Sequence, residues 1–343
     1  SLLAAVRNGD DAVVERLLKR EQRPAALLEA VDAQGFTALH LAASAGREGW
    51  VRRLVAAGAA LDAGAGEKGN TPLTISCGAG QAGCARVLLE AGANVDQRNN
   101  RGGDGATPLY IACFRGHTDC ARLCIEAGAN VEATKENGVT PLLIACQKGY
   151  TDCARLCLEA GANVQAAVLN GGTALLIACQ NGHIDCVRLC LEAGANVQAA
   201  KENGATPLFI ACEKGHTDCA RLCLEAGANV EAALKEDGVT PLLSACSNGH
   251  TDCARLCLDA GANVEAALKA GKATPLLIAT HRGHLATVQL LSLHGANRAP
   301  PNPQNWTAEG VAERFGHAAL LAWLRRTRDF TTPLHHLELL SAN

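Results

Sequence analysis

The segment from Thr140 to Asn163, TPLLIACQKGYTDCARLCLEAGAN, returns almost unchanged from Thr173, Thr206 and Thr240, and in looser form from Thr107 and Thr274. The opening threonines stand at 37, 71, 107, 140, 173, 206, 240 and 274, a period of 33 to 36 residues. A fixed period of this length constrains the fold more than any local motif, because such a unit packs against its neighbours and does not close on itself. It is the signature of a stacked solenoid. A chain of 343 residues would ordinarily suggest two or three globular domains; here it reads as one elongated array.

Each unit reads as a helix–turn–helix. Thr140 can cap a helix through its hydroxyl, and Pro141 suits the first helical position, where its missing N–H costs nothing. Leu142, Ile144 and Ala145 give that helix an apolar side, and Gly149 ends it where a left-handed residue is wanted. Thr151 or Asp152 opens a second helix with Cys153, Leu156, Cys157 and Leu158 on or beside its buried face and Arg155 and Glu159 outside. Gly161 stops it, and an extended, hairpin-like link leads to the next unit. One such helix pair cannot bury its own apolar face, so neighbouring units share a continuous core. The fold class is all-α.

The T-P-L opening, the central G-H and the closing L-E-A-G-A-N resemble the ankyrin repeat, over nearly the whole chain and about ten units. Residues 1–326 form the expected array, its first and tenth units atypical and cap-like; residues 327–343 read as a truncated further repeat or a C-terminal tail. Residues 1 to about 32 are a degenerate first unit with Asn8-Gly9 at the inter-helix turn. The second carries Thr37-Ala38-Leu39-His40 and Trp50, closest to the family's T-P-L-H. The third is expected to be loose around Gly78–Gly83, and the longer linker DQRNNRGGDGA after it reads as an enlarged, mobile hairpin tip. The ninth unit loses its cysteines and ends in HGANRAPPNPQN, a break or a reshaped loop. The final TTPLHHLELLSAN looks like the start of an eleventh unit; the alternative is the opening of a box-type ubiquitin-ligase adaptor motif found behind some ankyrin arrays. The start at Ser1, within a repeat and without methionine, suggests a fragment or a processed product.

Fifteen of the seventeen cysteines form a repeating triplet, as in Cys146, Cys153 and Cys157, with Cys77 and Cys84 a partial copy. The first thiol of each triplet takes a position where the family usually has alanine. The other two, four apart on the second helix, stand where it usually has valine and leucine. The resemblance therefore makes them small core hydrophobes. The alternative is a row of soft-metal or redox sites, but no fourth ligand is placed in each unit to complete a tetrahedron. Disulfides within a helix are disfavoured because i, i+4 positions lie about 6 Å or more apart at Cα. Free thiols at this density imply a reducing compartment, cytosol or nucleus.

The recurring His117, His183, His216, His250, His284 and His317 are structural in the family, so they read as turn-fixing groups. Asp152, Arg155, Glu159 and their copies form a solvated ladder on the outer helices. There is no phosphate-binding glycine loop opening a helix, no nucleophile elbow and no paired carboxylates outside the repeat pattern, so neither an enzyme nor a cofactor is expected. A net charge of −3 without long runs of one sign argues against nucleic acid or anionic membrane as a general partner. No apolar segment approaches the roughly 18–20 residues needed to span a bilayer, and the first residues lack a signal-peptide pattern.

The resemblance implies a protein partner on the concave face, where hairpin tips and the ends of first helices lie. The helix-end pairs are Phe114–Arg115, Gln147–Lys148, Gln180–Asn181, Glu213–Lys214, Ser247–Asn248 and His281–Arg282. They vary while the core does not. Phe114 and Arg115 head this set, since aromatic and arginine side chains dominate interface hot spots. Lys135, Glu136, Asn137, Lys201, Glu202 and Asn203 add a mixed-charge rim. The T-P-L-H histidine, which ties adjacent units in the family, is replaced by Tyr110, Leu143, Leu176, Phe209, Leu243 and Leu277. Apolar packing must replace that tie, and any of these side chains left uncovered would add an apolar stripe, with Tyr110 and Phe209 the aromatic members. The reading is a non-catalytic interaction scaffold of unidentified protein partners. Its rivals are a structural subunit of a larger complex and a thiol-rich metal or redox buffer.

Overall fold

The computed structural model describes residues 1–20, 24–99 and 105–328. They form two compact units, the first ending at Leu169 and the second starting at Asn170. In the first unit the first helices of successive repeats are Leu2–Asn8, Ala38–Ser44, Pro72–Ala79, Pro108–Arg115 and Pro141–Lys148. Their second helices are Asp11–Arg20, Glu48–Ala56, Ala82–Glu90, Thr118–Glu126 and Thr151–Glu159, and a short extra helix, Pro24–Leu28, follows the first pair. In the second unit the first helices are Ala174–Asn181, Pro207–Lys214, Pro241–Asn248, Pro275–Arg282 and Ala308–Arg314. The second helices there are Ile184–Glu192, Thr217–Glu225, Thr251–Asp259, Leu285–Leu293 and Ala318–Arg326. Among the described residues there is no extended strand; the loops between repeats close as short hairpins, with bridges such as Val31 to Thr37 and Ala65 to Asn70. The fold is an all-α array of helix pairs.

Local chemistry sets these boundaries. Thr140 Oγ1 accepts from the Leu143 N–H at 3.2 Å, and Thr71, Thr107, Thr173, Thr206, Thr240, Thr274 and Thr307 cap in the same way. Gly149 ends the helix at φ +74, a conformation that costs an L residue about 1–2 kcal/mol. The second helix begins at Thr151, but neither Thr151 nor Asp152 caps it. Tyr150 holds the cap position without a side-chain bond, as do the histidines of the other repeats. The backbone closes this turn itself, with the Thr151 N–H donating to Gly149 O at 3.0 Å. No side-chain oxygen is needed there.

The cap-position rings do more than fix their own turns: six of them lie over the helix-ending glycine of the preceding repeat in the same unit. A Cβ on Gly80 would come within 2.8 Å of the His117 ring, and one on Gly116 within 2.7 Å of Tyr150. Gly182 stands in the same relation to His216, Gly215 to His250, Gly249 to His284 and Gly283 to His317. His317 Nε2 also donates to His281 O at 2.9 Å. A second tie runs through the loops. The Glu132 carboxylate accepts from the Asn163 N–H at 2.7 Å, and Glu231 does the same for Asn263. The Asn163 side chain in turn accepts from the Gln165 N–H.

His40 keeps the family's own tie. It accepts through Nδ1 from Thr37 and donates through Nε2 to Ala63 O at 2.8 Å and Asn70 O at 3.1 Å. Where the histidine is replaced, packing takes over. Leu176, Phe209 and Ile210 form a buried cluster with Ala205, against which Leu234 and Val239 of the following loop pack. Tyr110, Leu143, Leu176, Phe209, Leu243 and Leu277 are all at most 5% exposed. The apolar stripe considered in the sequence is therefore absent, because these side chains are buried.

One further expectation changes and one open alternative closes. The Gly78–Gly83 region is not loose: Gly78 lies in the helix Pro72–Ala79 and Gly83 in Ala82–Glu90. A Cβ on Gly78 would stand 3.2 Å from Ile111 Cγ2. The Pro-rich segment after repeat nine is a reshaped loop and not a break, because the first helix of repeat ten still packs on that of repeat nine. Arg298 anchors that loop through bonds to Leu324 O and to Thr327, with its guanidinium 5.3 Å from the Trp323 ring. The tip of the long linker (100–104) and the tail (329–343) lie outside the described residues.

Gly249 and Gly261 both have left-handed backbones, at φ +74 and +88, but only at Gly249 would a Cβ meet a neighbouring repeat, at 2.7 Å from His284 Nδ1. Gly261→Ala is expected to cost about 1–2 kcal/mol in urea unfolding. Gly249→Ala should cost about 1–3 kcal/mol more for the steric conflict, and His284→Ala should remove that excess in a double-mutant cycle. Equal losses at the two glycines would show that the ring does not constrain the stack.

Candidate functional site

The register of the Gly-His turn locates the surface that varies. The two residues before each helix-ending glycine sit on the last turn of a first helix or just beyond it. In repeat four they are Phe114 and Arg115, but in repeats two and three they are Ser44–Ala45 and Gly78–Ala79. Side chains nearly vanish from the ridge for two repeats and then return as an aromatic and a guanidinium. A cleft of about 340 Å³ opens at this step. Ser44 comes from repeat two, Thr74, Ile75, Gly78 and Ala79 from repeat three, and Tyr110, Ile111, Phe114 and Arg115 from repeat four. The intervening loops add Lys68, Asn70, Asn99 and Lys135. A smaller hollow of about 220 Å³ shares Ser44, Asn70 and Ile75 and extends towards Phe36, His40 and Leu41.

The aromatic wall is fixed from several directions. Tyr110 and Phe114, one helical turn apart, lie with rings nearly parallel (10°) and centroids 6.5 Å apart. Arg115 and Lys148 bring their charges to 5.4 and 5.1 Å from the Phe114 ring, and Lys135 lies 5.2 Å from that of Tyr110. Such cation–ring contacts contribute about 0.5–1 kcal/mol at exposed sites. On the opposite side Asn99 is buried, donating to Asn70 Oδ1 and accepting from the Ala106 N–H at 2.7 Å. Burial holds His40 below its ordinary pKa, so its imidazole is neutral near pH 7, which matches its accepting Nδ1.

Of the residues singled out in the sequence, the structure brings Tyr110, Phe114 and Arg115 together in this cleft, with Lys148 against Phe114. Tyr110 and Phe209 are 5% exposed, so they support a surface more than they present one. Gln147 is exposed beside Lys148. In the second unit the helix-end residues engage near neighbours. Gln180 accepts from Lys201, Asn181 donates to Ile177 O, Glu213 pairs with Lys214 at 3.5 Å, and Asn248 donates to Ser244 O. Ser247 is half-buried and Arg282 exposed. His281 meets the Phe315 ring edge-on at 4.3 Å.

Phe315 was missed as a ridge residue, although it stands one place before the Gly316-His317 turn and is 43% exposed. Lys68, Ile75 and Ile111 were missed too. Counting back from each Gly-His pair finds Phe315 and also shows the small residues of repeats two and three; no motif marks Lys68.

The thiols form a second constellation. All seventeen are buried and free. Their closest approaches join successive repeats and not the members of one triplet. Cys77 lies 3.6 Å from Cys124, Cys113 3.7 Å from Cys157, Cys179 3.6 Å from Cys223 and Cys212 3.5 Å from Cys257. The stack brings the first helix of one repeat against the second helix of the next, so these pairs cross from one sequence triplet to another. Burial pushes Cys84 up to about 11 and Cys219 to about 12. Among the described residues no group of three or more His, Cys, Asp or Glu side chains is placed to hold a metal ion.

The fold and the ridge define a repeat solenoid with a variable surface on a uniform core. A family profile described as "Ankyrin repeats (3 copies)" matches residues 2–99, 95–168, 161–233 and 228–302. The chain belongs to the ankyrin-repeat family. Solved structures match widely; the crystal structure of the human ASB11 ankyrin repeat domain aligns over 63% of this chain and 98% of its own, at 30% identity and a TM-score of 0.56. No curated protein matches. Ankyrin repeats are generic protein-interaction modules on a typically non-catalytic fold. No helix among the described residues is long and apolar enough to cross a membrane.

A raised thiol pKa favours the neutral form in the folded state, so its stabilising effect is complete below the unfolded pKa of about 9 and is lost as pH rises through the folded value. The melting temperature is thus expected to be insensitive to these thiols up to about pH 8.5 and to fall between about pH 9 and 12. Cys84→Ala and Cys219→Ala should each flatten that fall relative to their own values at pH 7. Melts followed by circular dichroism would check this; an unchanged slope in both variants would remove the thiols as its cause.

Proposed function

We propose that this protein is a non-catalytic scaffold that binds a protein partner along the ridge made by the ends of the first helices and the loop tips. The cleft at repeats two to four, walled by Phe114 and Arg115, is its principal contact. The observation that supports this most is the abrupt step from Gly78–Ala79 to Phe114–Arg115 in otherwise repetitive surroundings. A recess beside an aromatic–arginine pair has the form of a hot spot, where a few side chains supply most of the binding energy. Gln147, Lys148, Gln180, Asn181, Glu213, Lys214, Ser247, Asn248, His281 and Arg282 extend the ridge as peripheral contacts. Tyr110 and Phe209 support it from beneath.

The test is affinity capture from native extract under reducing conditions with the wild-type chain, Phe114→Ala/Arg115→Ala and Lys214→Ala/Arg282→Ala. Loss of a hot spot costs about 2 kcal/mol or more, about thirtyfold in affinity. The expected result is a discrete partner that the first variant fails to retain and the second holds. The same partner on all three chains would move the site off repeat four.

A further inference from the structure

The charge around the cleft says what kind of segment would enter it. Lys68, Arg115 and Lys135 line it, Lys148 stands against the Phe114 wall, and among the described residues no aspartate or glutamate lines it. The sequence neighbours Glu67 and Glu136 do not line it either. This happens on a chain whose net charge is −3, so the cations are a local excess against the protein's own balance. No carboxylate among the described residues forms an ion pair with Lys68, Arg115 or Lys148.

The rest of the lining suits a peptide. Ile75 and Ile111 offer partly exposed apolar surface, and Gly78 and Ala79 leave room for the backbone of an incoming chain. Asn70 accepts from Asn99 through Oδ1, so its NH₂ group is left to donate to a peptide carbonyl. Charge complementarity then selects the side chains: carboxylates beside the lysines and the guanidinium, an apolar side chain between them on the isoleucines.

We infer that the cleft at repeats two to four binds an extended acidic peptide segment, rich in aspartate or glutamate with interspersed aliphatic residues, presented by the partner protein. The inference rests on the scaffold reading above and specifies its chemistry. The aromatic pair provides the packing wall and the four cations the selectivity. Because Lys68, Arg115 and Lys148 are exposed, their contribution is sensitive to salt, with a screening length of about 10 Å at 0.1 M.

Fluorescence polarisation of the purified chain with three labelled twelve-residue peptides tests this. One alternates glutamate with leucine, the second has glutamine for glutamate, the third lysine. The acidic peptide is expected to bind at least about tenfold more tightly than the glutamine form, and to lose most of that margin between about 50 and 300 mM NaCl. Lys68→Glu/Arg115→Glu should erase the margin. Arg122→Glu/Arg155→Glu changes net charge equally on exposed outer-helix positions and should keep it, which separates the cleft from general electrostatics. Matching melting curves would show that both double variants fold. Equal binding of the glutamine peptide, preference for the lysine peptide, no binding of the acidic one, or an equal loss in both double variants would overturn the inference. So would a single-stranded oligonucleotide outcompeting the acidic peptide. If capture by Phe114 and Arg115 holds while the acidic margin fails, the scaffold stands and only its partner chemistry falls.

Discussion

The structure depends on the contact between one helix pair and the next, and above all on the seat of an aromatic or imidazole ring over a glycine of the preceding repeat. Two independent demands meet at that glycine. The first helix must end in a left-handed conformation, and the neighbour's ring must approach to where a Cβ would stand. Either demand alone tolerates some other residue; together they leave glycine. Gly92, Gly128, Gly194 and Gly227, at the ends of second helices, are also left-handed but face open space. They serve one demand only. The first-helix end is therefore a steric joint between repeats, whereas the glycine at the second-helix end meets no neighbouring ring, although the two read alike in sequence.

The core follows from the same contact. Short helices stacked this closely leave small volumes between them, and cysteine fills them with a polarisable atom and no hydrogen-bonding obligation comparable to a hydroxyl's. Sulfurs from successive repeats touch at 3.5–3.7 Å, so these eight thiols contribute to the interfaces between repeats. At Cys84, Cys219 and Cys246 burial disfavours the thiolate, which keeps those three neutral and lets them pack as apolar atoms. The replacement of the tying histidine by leucine or phenylalanine belongs to the same economy of apolar packing, since Leu234 and Val239 pack from the next loop on the cluster that holds Leu176 and Phe209. Repeat two, with His40 intact, keeps the polar form of the tie.

Much of this was legible in the sequence because it is local. Threonine caps, the proline after them, the helix-ending glycines and the period each concern residues a few places apart, where chemistry and geometry are fixed together. What was not legible concerns residues about one period apart. The destination of the His250 ring, the pairing of Cys212 with Cys257 and the covering of Phe209 are set by how one repeat is placed on the next, which no single copy of the unit encodes. Gly78 shows a different limit. Read as a glycine near other glycines it suggests looseness; in its helix it is a place where Ile111 comes close and a ridge side chain is missing.

The candidate site arises by subtraction. A uniform array with a full side chain at every helix end would present a continuous ridge without a recess, and affinity would have to come from many shallow contacts. Removing side chains at Ser44–Ala45 and Gly78–Ala79 creates a hollow bounded by the next large pair, Phe114–Arg115. Desolvation inside such a hollow makes each polar or charged contact count for more than it would on an open surface. The core does not change across this step, since Leu73 and Leu109 are both fully buried on either side of it. Stability and recognition are thus assigned to different positions of the same repeat, and the surface can be altered at two or three residues without disturbing the joints that hold the stack.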